Sequence, residues 1–216
     1  DYTLFGATLA SRAAQPYISG QVSWYTNTPQ GRVRYSGKSA GLANLAFTPL
    51  FMGWSSPRVH QMLGVDVYAP TGSYDKDRLF NAGTNVWSYS PWYSITANPI
   101  DDLEISAKML YMINENNRET DYRSGREVNI DYHLGYSVNE HWQVGLSGYL
   151  YKQVSDDEHQ GESVGENGNR GQVAAFGPVV KYQTPEFGVV LKWQHEALVE
   201  NRAQGERIWL QAVLLF

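Results

Sequence analysis

The chain has 216 residues, 42% of them apolar, 13% aromatic and 18% charged, with a formal net charge of −5 and no cysteine. That length suits one domain, the acidic balance argues against a nucleic-acid partner, and the missing cysteines exclude disulfides, thiolate catalysis and Cys-based metal sites. No apolar run reaches the ~18 residues of a transmembrane helix, and the longest, Leu42–Trp54, contains Pro49.

In chain order, apolar and polar residues alternate with period 2, the signature of strands with one apolar face. The pattern predicts strands near 2–12, 17–26, 31–37, 42–54, 60–69, 84–98, 103–114, 126–138, 142–153, 172–184, 188–198 and 206–216. In the eighth, Val128, Ile130, Tyr132, Leu134, Tyr136 and Val138 oppose Asn129, Asp131, His133, Gly135 and Ser137. The last places Ile208, Leu210, Ala212, Leu214 and Phe216 on one face, up to the final aromatic residue. A soluble sandwich would hide such a face, whereas a membrane barrel turns it to lipid and dilutes the hydropathy signal with lumen residues. Fifteen Tyr and seven Trp against seven Phe suit a membrane–water interface, where ring and polar tip meet different solvents.

The connections separate the two readings. Thr71–Gly83, Glu115–Gly125, Ser155–Gly171 and Val199–Gly205 are long and polar. They alternate with the short Ser55–Val59, Pro99–Asp102, Asn139–His141 and Pro185–Phe187. Long outer loops and short periplasmic turns are the asymmetry of outer-membrane barrels. The expectation is therefore an all-β, antiparallel up-and-down barrel of about twelve strands, spanning 1–216 as one domain with both termini periplasmic. An exported chain would have shed its signal peptide.

Several blocks resemble one family: GVDVYAPTGSYDK (Gly64–Lys76), EISAK (Glu104–Lys108), TDYRSGREVNIDYHLGY (Thr120–Tyr136), WQVGLSGYLYKQVSDD (Trp142–Asp157) and KWQHEALVENRAQGERIWLQ (Lys192–Gln211). They are similar to the small outer-membrane channels assigned to the meta-pathway of phenol degradation. The resemblance spans roughly Lys38 to Phe216, and Asp1–Arg34 matches poorly. It implies a barrel that passes small solutes, hydrophobic or aromatic ones by the family's name, and it carries over no catalytic residue.

If the apolar face meets lipid, the other face lines the lumen. The inward charged candidates are Asp66, Glu104, Lys108, Asp131, His133, Lys181, Lys192, Glu196 and Arg207, with Gln194 and Gln211 beside them. Leu50, Met52, Leu110, Met112, Trp209 and Val213 are expected to interleave with them. Charges there need water or each other. One reading is a water-filled pore whose charges set selectivity; the other is a salt-bridged plug.

Pro49, Pro91 and Pro178 fall inside predicted strands, where each removes a ladder donor. They mark either bulges or places where the wall opens sideways, beside Phe47, Phe51, Tyr89 and Phe176.

Two alternatives to a channel stay open: a barrel lipid or ester hydrolase, and a structural or adhesive barrel. His133 with Asp131 and Ser147 is the nearest approach to a hydrolase set, and Asp156, Asp157 and His159 offer a weaker one in a Gly-rich loop. His60, His141 and His195 show no metal-ligand spacing, and no metal or cofactor is expected. Arg118, Arg123, Arg126, Arg170, Arg202 and Arg207 lie in or beside the outer loops. They either bind lipopolysaccharide phosphates, which a guanidinium fork matches, or pair with Glu119, Asp121, Glu127, Glu200 and Glu206. Small solutes and outer-membrane lipid are the expected partners of a monomer.

Overall fold

The computed structural model describes residues 3–214. These contain no helix and sixteen strands. In chain order they are β1 (Thr3–Leu4), β2 (Ala7–Ala14), β3 (Tyr17–Thr28), β4 (Gly31–Leu42), β5 (Leu45–Ser55), β6 (Val59–Ala69), β7 (Ser88–Ala97), β8 (Leu103–Asn114), β9 (Tyr122–Arg123), β10 (Glu127–Ser137), β11 (Trp142–Gln153), β12 (Glu158–His159), β13 (Glu162–Ser163), β14 (Gln172–Gln183), β15 (Phe187–Glu200) and β16 (Glu206–Leu214). The expected ends of the first and last strands, Tyr2, Leu215 and Phe216, lie outside the described residues.

One sheet of eleven strands runs β1-β2-β5-β6-β7-β8-β10-β11-β14-β15-β16. Its long neighbours are antiparallel and, except across β2–β5, follow one another in the chain with long and short connections alternating. The sheet curls on itself, since Met62 of β6 and Lys192 of β15 line the same cavity.

Two expectations need correction. The predicted strands at 17–26 and 31–37 are not wall strands. As β3 and β4 they pair only with each other, from Tyr17↔Leu42 to Thr28↔Gly31, and form a separate sheet. Alternation identifies a strand without naming its partner, and here the hairpin partner is the nearer one. Moreover, the edge strands β1 and β16 do not pair among the described residues, so the expected closed twelve-stranded ladder is not observed. The hairpin projects from the long-loop end of the wall. The Ala43 amide donates to the Pro16 carbonyl at 2.9 Å and the Ser73 amide to the Leu42 carbonyl at 2.8 Å. At Gly20 a Cβ would lie only 2.8 Å from the Phe80 ring, so the bare glycine lets this loop pack against the hairpin.

The polarity of the wall is inverted relative to a soluble domain. Thr48, Asp66, Ser90, Ser147, Gln194 and Glu196 are buried on the inner face, while Ile105, Met109, Leu134, Leu146, Leu191 and Leu210 are exposed on the outer one. Leu134 keeps 44% of its surface exposed, against 4% for Glu196. Polar groups turned inward with a continuous apolar exterior form the arrangement that lipid stabilises.

All three prolines interrupt a ladder. Around Pro49 both ladders of β5 shift register, between Phe47 and Phe51 towards β6 and between Ala10 and Arg12 towards β2. This bulge inserts one residue. Thr48 and Phe51 consequently both point inward. Phe51 stands 6.0 Å from the Trp92 ring, and Met52 shares the outer face with Leu63. The inward placement expected for Met52 is thereby reversed. At Pro91 the β7–β8 pairing lapses between Tyr89↔Ile113 and Trp92↔Leu110, and at Pro178 the β14–β15 pairing lapses between Phe176↔His195 and Val179↔Lys192.

The outer loops are not loose. Three two-residue strands, in the order β13-β12-β9, join the loop after β8 to the loop after β11. Asp157 accepts hydrogen bonds from the Tyr122 hydroxyl, the Gly125 amide and the Gln153 side chain.

Candidate functional site

Three polar networks line the interior, each built by side chains from neighbouring strands. The first is centred on Asp66 of β6. Arg12 of β2 donates to both of its carboxylate oxygens at 3.0 and 3.1 Å, Trp92 Nε1 donates at 2.9 Å, and the Thr48 hydroxyl donates as well. Arg12 Nε also reaches Thr48 Oγ1 at 2.9 Å. A nearly buried carboxylate is tolerable here because a cation and two neutral donor side chains replace its water.

The second network lies nearer the short-turn end. Gln143 Nε2 donates to Glu104 Oε2 at 3.2 Å and the Ser106 hydroxyl to Glu104 Oε1 at 3.0 Å, while Lys181 Nζ stands 4.0 Å away. The His133 ring shares a hydrogen bond of 3.0 Å with Gln143 Oε1. Gly135 makes room for it, since a Cβ there would come within 2.5 Å of Gln143 and 2.6 Å of His133. The third network joins Glu196 of β15 to Arg207 of β16 at 2.7 Å and to the Tyr149 hydroxyl of β11.

Between the networks lies a cavity of about 420 Å³ that brings together Glu104, Lys108, Asp131, His133, Lys181 and Lys192. Of the remaining charged candidates, Asp66 belongs to the first network, and Glu196 and Arg207 to the third. Arg12, Thr48, Gln143 and Tyr149 complete these networks and were not among the residues expected there. The only sequence signal for Arg12 is its position two residues from Ala10 and Ala14 on an otherwise small-residue face.

Cations on this face sit against rings. Lys108 Nζ lies 4.9 Å from the Trp92 ring centre, Lys192 Nζ 5.4 Å from Trp209, and the Arg207 guanidinium 4.9 Å from Tyr149. Such pairs soften the cost of a partly desolvated charge. Within the three networks and the central cavity, Arg12, Lys108, Lys181, Lys192 and Arg207 oppose Asp66, Glu104, Asp131 and Glu196, one positive charge in excess in a chain of net charge −5, and nearer the loops Glu127 and Arg202 line the cavities with opposite signs.

Five cavities follow one another along the interior, each sharing lining residues with the next. An outer one of about 540 Å³, walled by Tyr74, Tyr122 and His159, shares Glu127 with its neighbour under the loops. That neighbour shares Tyr151 and Arg202 with a third, and the third shares Asp131, Lys192 and Gln194 with the central cavity. Lys181 belongs to both the central cavity and the one at the short turns.

The hydrolase candidates do not assemble. His133 bonds to Gln143, whereas the Ser147 hydroxyl accepts from Gln194 at 3.5 Å. Asp156 is engaged by Ser163 and Arg170, and Asp157 by Tyr122 and Gln153, with neither bonded to His159. Among the loop arginines, Arg123 pairs with Glu158, Arg170 with Asp156 and Arg207 with Glu196.

Among the solved structures that resemble this chain are a channel and a porin. One is an outer-membrane channel from Pseudomonas putida F1, with a TM-score of 0.75 at 14% identity, covering 97% of this chain and 77% of the other. The second is the NanC porin, with a TM-score of 0.48 at 10% identity, covering 96% and 99%. No curated protein matches the sequence. The first likeness establishes the fold as that of an outer-membrane channel. The sequence match to a family takes in residues 1–212, including the N-terminal stretch where the block resemblance is poor, and on that match the chain belongs to the family described as "Putative MetA-pathway of phenol degradation".

Proposed function

We propose that residues 1–216 form a single, monomeric outer-membrane barrel that passes small molecules by passive diffusion, hydrophobic or aromatic solutes among them, without enzymatic chemistry. The observation that carries this reading is the series of neighbouring cavities, each sharing lining residues with the next, inside a wall that is apolar outside and polar inside. Asp66, Glu104, Lys108, Asp131, His133, Lys181, Lys192, Glu196 and Arg207 line the path and set its charge preference. Apolar inner side chains such as Met62, Val179 and Val190 give a poorly soluble compound surface to move along.

Outer-membrane lipid is the partner of the exterior. Arg118 and Arg126, exposed on the outer loops and outside any ion pair among the described residues, would meet lipopolysaccharide phosphates. The ladder interruptions at Pro49, Pro91 and Pro178 favour a second route for apolar solutes, sideways from lumen to lipid. Pro49 is the strongest of the three, because its bulge brings Phe51 in and leaves Leu50 out.

Liposome swelling tests the reading. Proteoliposomes should swell in solutions of small neutral solutes faster than protein-free vesicles, with no release of fatty acid from their lipid. Lipid or ester hydrolysis without swelling would overturn it.

A further inference from the structure

We infer that the central cavity is a binding site for small monocarboxylates with an apolar, ring-sized body, of which benzoate is the simplest probe; this deepens the channel reading and rests on it. Charge supplies the first argument. Lys108, Lys181 and Lys192 line the cavity against Glu104 and Asp131, so one positive charge is left over. Lys181 is engaged by Glu104 at 4.0 Å, Asp66 is held by Arg12 and Glu196 by Arg207. Lys108 and Lys192 are in no ion pair among the described residues, although Asp131 stands opposite Lys108 in the ladder.

Shape and polarity supply the second argument. The cavity holds about 420 Å³, and the inward side chains of Met62, Val179 and Val190 give it an apolar wall beside the two ammonium groups. Each ammonium rests near a tryptophan ring, Lys108 on Trp92 and Lys192 on Trp209. A ligand carboxylate would satisfy the donors that these rings cannot, while its apolar body is removed from water against the aliphatic wall. A neutral aromatic compound gains only the second contribution, and acetate only the first.

Benzoate binding to the full chain in detergent is read by quenching of tryptophan fluorescence, and in planar bilayers by benzoate block of the chloride current. Benzoate should bind more tightly than benzamide and acetate. Lys108→Gln and Lys192→Gln should each weaken it about tenfold, the loss of one charge-assisted hydrogen bond. Lys108→Arg should restore binding, which separates lost charge from misfolding. Equal affinity for benzoate and benzamide, or unchanged benzoate affinity in both Gln variants, would overturn the site. Current steps insensitive to benzoate would defeat this inference alone, whereas the absence of any steps would defeat the channel reading.

Discussion

Arg12 of β2 and Asp66 of β6 are joined across the intervening strand β5 by two hydrogen bonds of 3.0 and 3.1 Å. They meet where the Pro49 bulge breaks both ladders of β5, so side-chain pairing replaces the backbone pairing that is lost. Thr48 and Trp92 complete the set around the same carboxylate.

Asp66→Asn should therefore destabilise the wall. The variant keeps the shape but loses the charge, leaving Arg12 and one of the other donors poorly satisfied, at a cost of about 1–3 kcal/mol. Urea unfolding in detergent micelles measures the difference. An unchanged midpoint would show that the bulge does not depend on this cluster.

The strand register makes a sharp contrast between two residues three positions apart on β10. Leu134 lies on the apolar exterior, and Asp131 lines the central cavity. Leu134→Arg should cost about 2–4 kcal/mol if position 134 lies near the bilayer midplane, whereas Asp131→Asn should alter conductance with little loss of stability. Cysteine labelling checks both: aqueous reagents should reach position 131 and not position 134. The opposite result would mean a register slipped by one residue.

The cap formed over the wall by the outer loops and their β13-β12-β9 sheet should hold only within a window of pH. Asp156 is kept below its ordinary value of 3.8 by the Ser163 hydroxyl and then by Arg170. A depressed carboxylate stabilises the cap above that ordinary value and loses the effect as pH falls through the lowered one. The Tyr122 hydroxyl is pushed up from 10.0 to about 12 by burial and then by its hydrogen bond to Asp157. Its contribution is complete below 10.0 and disappears as pH rises towards about 12. Hydrogen exchange of residues 156–171 should be slow between these limits and quicken beyond both. A rate following only the intrinsic chemistry of exchange would mean the loops are untethered.

Restoring a donor to the wall tests the sideways route. Pro91→Ala and Pro49→Ala should slow uptake of an apolar compound into lipid-bounded vesicles while leaving ion conductance nearly unchanged. Equal slowing of both fluxes would assign the prolines to axial passage instead.

The legibility of this fold follows from how far each signal reaches along the chain. Val128–Val138 could be read residue by residue, because Tyr132 and Leu134 face out and Asp131 and His133 face in with no interruption. Around Pro49 the same rule fails, since one inserted residue puts Thr48 and Phe51 on the same side and moves Met52 to the other. The β3–β4 strands were visible as strands, yet their pairing with each other rather than with the wall depends on contacts such as Gly20 with Phe80, sixty residues apart. That Asp131, His133, Lys181 and Lys192 share the inner face was legible from alternation, but the sorting of the inner cations into paired and unpaired ones was not. That sorting depends on Arg12, whose partner Asp66 lies four strands on in the chain.

The most direct measurement is the reversal potential of single channels in a planar bilayer under a salt gradient. Stable current steps with a reversal potential favouring anions are predicted, from the surplus of inward cations. Lys108→Ala and Lys192→Ala should move that potential towards cation preference, by less at high salt, where screening shortens the reach of each charge. A membrane that stays silent with correctly folded protein, or a potential unmoved by both substitutions, would contradict the account.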